Sequence, residues 1–216
     1  MASRFPYFDN RGLVMLELLI TLLTLIIILL FISALVIVSK LFPDKLSSKQ
    51  KKWWTILHIV FVIIYFAGVL GALLLTSFAS TIIVDDAQIK AAHLFARYFD
   101  WFLVIPGALG CIVTGVWLAV RTQWGLTKHY WIIVKTLGNI TAILFGSTFM
   151  RHWFDETVNL SSTGQSNLIE NTAYLHSHQM LLVGAIISLL ILLFLLFTSY
   201  FKPWGKRVMP LQEHKA

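Results

Sequence analysis

Seven histidines and a few charged residues set inside apolar stretches are the groups in this chain that could do chemistry. His58 and Lys135 lie within long apolar runs, five residues past Trp53 and four past Trp131, and Asn139 continues the Lys135 face one turn deeper. Ionisable side chains at such depth are costly in hydrocarbon, so each stands as a functional hypothesis. A second group is His93, Arg97 and Asp100, spaced i, i+4 and i+7 on one helical face. Arg151-His152 and His176-Ser177-His178 follow, with Met150 and Met180 beside them.

Two chemistries use such a set. A haem can be held between helices by two His, or by His and Met, with Arg pairing its propionates. On that reading His58, Lys135, His93, Arg97 and His178 are the cofactor-binding candidates. Alternatively His176 and His178, with His152 or Asp155, could form an external metal site. His176 and His178 are ~200° apart on a helix, so they can share one metal only if that segment is extended. The plain alternatives are snorkelling for Lys135, a helix–helix hydrogen bond for His58, and wet interfacial histidines elsewhere. His129 and His214 read as solvated, and the single cysteine, Cys111, as a small packing residue. No phosphate-binding loop, nucleophile triad, HExxH or paired-carboxylate motif is present.

The elements that position these groups follow from composition. Of 216 residues 58% are hydrophobic and only 12% charged, so lipid must be the solvent for much of the surface. A soluble enzyme, a disordered chain and a disulfide-stapled module are excluded. The net charge of +7 sits in short segments between apolar runs, which reads as membrane topology and not as a nucleic-acid face. Five runs reach the ~20 residues a spanning helix needs: Val14 to Val38, Trp53 to Phe78, Trp101 to Val120, Tyr130 to Met150, and Met180 to Phe201. The first is too long for a signal-peptide core and reads as a retained span. The expectation is an all-α polytopic membrane protein: an external segment 1–13, one five-helix domain 14–201, and a basic cytoplasmic tail 202–216.

Twelve of the seventeen Lys/Arg fall in the first loop, around Arg121 to Lys135, and in the tail. The positive-inside rule then puts the N-terminus outside and the C-terminus inside a bacterial inner membrane. Asp85-Asp86-Ala87-Gln88 reads as a capping box, with Val84 and Ile89 as a staple, so the third helix should start near Asp86. Pro106 should kink it by freeing the carbonyl of Phe102. The segment Asp155 to Tyr174 reads as the longest loop and a candidate lid. Small residues four apart (Gly138, Ala142, Gly146; Gly107, Cys111, Gly115; Gly68, Ala72) make spans two to five a four-helix core, with the Leu/Ile-rich first span peripheral.

Between Trp53 and Gly146 the pattern resembles an uncharacterised family of predicted bacterial integral membrane proteins. It is carried by His58 with Gly68 and Gly71, Asp100 leading to Pro106, Thr114-Gly115, and Trp131 with Lys135. More loosely, the pattern is similar to copper-resistance-D-like and membrane protoporphyrinogen-oxidase proteins. The oxidase resemblance implies haem b held by a span-borne His, which His58 matches, with a nearby Lys, which Lys135 matches. The Arg expected near the end of the His58 span is replaced by Gly71-Ala72-Leu73-Leu74-Leu75, so oxidase activity itself is not implied. The functional expectation is a small haem- or metal-binding membrane protein of redox type. Its partners would be the bilayer and either a second copy or a membrane redox partner, with no nucleic acid. The competing expectation is a non-catalytic accessory or transport-related protein whose polar residues only pack helices.

Overall fold

The computed structural model describes residues 10–42, 44–81, 85–162 and 168–207, and among them there is no strand. The helices are α1 (Asn10–Lys40), α2 (Ser48–Thr81), α3 (Asp86–Phe99), α4 (Ile105–Arg121), α5 (Tyr130–Phe145), α6 (Arg151–Ser162) and α7 (Thr172–Phe201). π-Helical turns join α3 to α4 (Asp100–Val104) and α5 to α6 (Gly146–Met150), so each pair forms one continuous rod. Five rods result, each long and apolar enough to cross a membrane. Their outer faces carry large apolar side chains in the open, such as Ile27 and Leu30 on α1 and Leu190 and Phe197 on α7. Water would not tolerate that surface, and lipid does. The chain is an all-α polytopic membrane protein.

Three segments meet at one end of the bundle. The amide of Leu46 donates to the carbonyl of Arg121 (3.0 Å), and that of Arg207 to Lys128 (2.9 Å). The Arg121 guanidinium donates to the carbonyls of Ser39 and Phe42. This basic end gathers the first loop, the α4–α5 turn and the start of the tail. The opposite end is closed by Ala79, Ile89, Ala92, Leu168 and Tyr174.

Helices α2, α4, α5 and α7 pack in a closed ring, and α1 lies outside it against α4 and α5. Ile28 and Ile32 of α1 meet Ile112, Val116 and Ile140 there. The tightest approach is α2 on α4. A Cβ added at Gly107 would stand 2.7 Å from the backbone of Tyr65, and one at Gly68 would stand 2.8 Å from Leu103. Gly138 likewise abuts Leu195 of α7, at 2.6 Å. Gly146 lacks the expected helix contact: nothing lies within 4 Å of a Cβ there. It stays in register, its amide donating to the Ala142 carbonyl at helical spacing, but it and Ala142 border a cavity, and no facing helix meets Gly146.

Local expectations are met in part. α3 starts at Asp86, but the Asp85 carbonyl accepts the Gln88 and Ile89 amides (3.1 and 3.0 Å) and its side chain makes no cap bond. Val84 lies outside the described residues. Pro106 is preceded by a π turn in which the Ile105 amide donates to the Asp100 carbonyl, one residue beyond helical spacing. That turn absorbs the register break a mid-span proline imposes. The expected loop from Asp155 is instead helix as far as Ser162. α7 begins at Thr172, where the Asn171 side chain accepts the amides of Ala173 (3.0 Å) and Tyr174 (3.2 Å). Phe154 and Thr157 are buried and Asp155 is paired with Arg97, so α6 packs on α3 and α7 and is no lid. Residues 163–167 lie outside the described residues.

Candidate ligand cavity

A cavity of about 770 Å³ opens between α2, α4, α5 and α7 toward the basic end. Lys51, Thr55, His58, Val62 and Tyr65 line it from one stripe of α2, spaced 4, 3, 4 and 3 residues apart. α4 contributes Cys111 and Gly115; α5 contributes Trp131, Lys135 and Asn139; α7 contributes Ser199 and Lys202. The structure thus brings His58 and Lys135, far apart in sequence, to one space.

Hydrogen bonding sets the tautomer of neutral His58. Its Nδ1 lies 2.7 Å from Thr114 Oγ1, and that hydroxyl also donates to the Gly110 carbonyl at 2.6 Å. A hydroxyl has one proton. Both bonds form together only if His58 Nδ1–H is the donor and Thr114 the acceptor. In the neutral ring Nε2 is then the unprotonated nitrogen, the form in which imidazole ligates a metal, with the other nitrogen fixed by a hydrogen bond.

The mouth is cationic. Lys135 Nζ donates to Ser199 Oγ (3.0 Å) and sits over Trp131 (5.9 Å). Lys202 lies over Trp124 (5.0 Å) and Trp131 (5.6 Å), and Lys51 over Trp124 (6.0 Å). Among the described residues no Asp or Glu lines the cavity, and most of the wall is apolar. The space suits a large apolar body with anionic groups at its edge.

The other expected site residues lie elsewhere. His93 is fully buried at the opposite end, with Nε2 2.9 Å from Tyr174 Oη and its ring 5.4 Å from that of His178. Tyr174 packs with Ala79, which is 21 residues and about 30 Å along α2 from His58. The five expected cofactor residues therefore cannot hold one molecule. Arg97 forms an ion pair with Asp155 and stacks on Trp101, at 4.9 Å. With Asp100, Arg151, Gly146 and Ser147 it borders a second cavity of about 430 Å³, where both π turns meet.

The expected metal set is not assembled. His152 stands between Glu17 and Glu156 (3.6 Å each), half exposed. His176 is exposed, and His178 is buried on another face of the same regular helix. Among the described residues no three His, Cys, Asp or Glu side chains gather to hold a metal. His129 is not solvated: it is buried, its Nδ1 2.8 Å from the Trp124 carbonyl and its ring between Trp124 and Trp131. His214 lies outside the described residues.

Lys51, Lys202, Ser199 and Tyr174 escaped sequence reasoning as site residues. A signal existed for Lys51, which stands seven residues before His58 and so on its face, but the lysine-rich loop reads first as topology. Compared with known proteins, the chain matches no family model, no curated protein and no solved structure.

Proposed function

We propose that this chain is a small redox-type membrane protein that binds haem b in the larger cavity. The observation that carries the reading is His58, whose Nδ1–H is committed to Thr114 beside a space of about 770 Å³ lined, among the described residues, by three ammonium groups and no carboxylate. The residues fit the group. His58 Nε2 would ligate the iron, with Thr114 holding the ring in its ligating tautomer. Lys51, Lys135 and Lys202 would pair the propionates, and the apolar walls would limit water at the metal. Bound haem supplies one-electron chemistry, and a redox partner in the same membrane or a second copy would exchange the electron. The resemblance of the His58 and Lys135 spans to haem-holding oxidases supports the reading.

One observation favours the rival. The His58–Thr114 bond ties α2 to α4, as it would in an accessory or transport-related protein whose polar groups only join helices. Purification in detergent after haem supplementation decides between them. A Soret band that shifts on reduction, at about one haem per chain, is expected. Colourless protein under those conditions overturns the haem reading and leaves the accessory one.

We further propose a bacterial inner membrane with the basic end in the cytoplasm and the N-terminus outside. The support is the gathering of the first loop, the α4–α5 turn and the tail at one end of the bundle. In a Cys111→Ala background, an impermeant thiol reagent on intact cells should label Ser162→Cys and spare Ser48→Cys. The reverse pattern would invert the topology.

A further inference from the structure

We infer that His93 and His178 form a second site, separate from the haem cavity, that binds a monovalent d10 metal ion of the copper(I) class between two imidazoles. His93 is 0% and His178 3% exposed, on α3 and α7, with ring centroids 5.4 Å apart. Three of their four ring nitrogens, His93 Nδ1 and both of His178, are buried without a hydrogen-bond partner. Buried polar atoms are almost always satisfied, so three together in one contact call for a ligand.

The fourth nitrogen, His93 Nε2, lies 2.9 Å from Tyr174 Oη. Donating its proton to that oxygen leaves His93 Nδ1 with a free lone pair. Tyr174 also stacks on His178 (5.7 Å, 23°) and so orients both rings. Two metal–nitrogen bonds of about 2 Å plus the ring radii span about 6 Å between centroids. Rings 5.4 Å apart and at 82° need to part by less than an ångström, with one ring turning to aim a nitrogen at the other's edge.

The identity of the ion follows from what surrounds the pair. No third His, Cys, Asp or Glu joins it among the described residues. One turn from His93 on α3 stand Ile89 and Ala96, and one turn from His178 on α7 stands Leu181, all apolar and buried. Zinc takes four ligands and would bring two uncompensated charges into this apolar site. Two nitrogens in line suit a closed-shell monovalent ion, whose single charge costs far less to bury.

The test is titration of detergent-purified, metal-free Cys111→Ala protein, which has no thiol, with silver(I) and with copper(I) under reductant against a chromophoric chelator. One ion per chain is expected. His93→Ala and His178→Ala should each weaken binding at least 100-fold, and Tyr174→Phe about 10-fold or more, as loss of an outer-shell partner does. His58→Ala should change nothing, which keeps this site distinct from the haem reading. Because a buried histidine variant can misfold, X-ray absorption on the copper(I)-loaded parent gives the second reading: two nitrogen neighbours and no sulfur. Binding that survives both histidine variants, sulfur neighbours, no binding by the parent, or zinc held by the same two histidines would each overturn the proposal.

Discussion

His58→Ala should yield a protein that folds and purifies without haem. The substitution removes the one imidazole that lines the larger cavity among the described residues, so affinity should fall more than 100-fold and the Soret band disappear. The fold should survive, because an interhelical hydrogen bond in a membrane is worth about 0.6 kcal/mol on average. Thr114→Val separates ligation from orientation. It keeps Nε2 but removes the acceptor 2.7 Å from Nδ1, which should weaken haem binding about 10- to 100-fold and shift the spectrum without abolishing it. Thermal unfolding in detergent should change little in either variant. A His58→Ala protein with the wild-type spectrum would remove this residue from the ligand role.

The largest expected loss of stability is at Gly107. A methyl group there would meet the Cα and N of Tyr65 at 2.7 Å. Backbone cannot rotate aside as a side-chain tip can, so α2 and α4 must separate along the tightest seam in the bundle. Gly107→Ala should cost on the order of 1–3 kcal/mol, the range for overpacking, and Gly107→Leu more. Gly146→Ala is the control, since nothing lies within 4 Å of its Cβ position. Its effect should stay within about 0.5 kcal/mol. Equal losses of thermal stability in the two alanine variants would refute the assignment of the seam. Because Tyr65 also lines the larger cavity, Gly107→Leu should lower haem retention as well.

The number of spans, their order and the all-α class were legible in the chain, because hydrocarbon length and backbone satisfaction act on each segment alone. The start of α3 at Asp86 and the shared face of Trp131, Lys135 and Asn139 follow for the same reason: both are set within two turns of helix. What no single helix carries is who meets whom. His58 finds Thr114, 56 residues away, and Lys135 finds Ser199, 64 away, through helix rotation set by the close seams at Gly68, Gly107 and Gly138. The two π turns moved the residues that follow them out of simple periodicity, and the cavity beside Gly146 left that glycine without the contact its spacing from Gly138 and Ala142 suggests. Ion pairing of Arg97 with Asp155 and burial of Phe154 and Thr157 drew a Ser/Asn/Thr-rich segment into helix, where composition alone reads as loop. Composition and spacing determined that this chain crosses a membrane five times with a few ionisable groups inside. Only tertiary packing decided that these groups divide between a cationic cavity at one end and a buried histidine pair at the other, because side-chain partners across helices depend on rotations that local sequence does not encode.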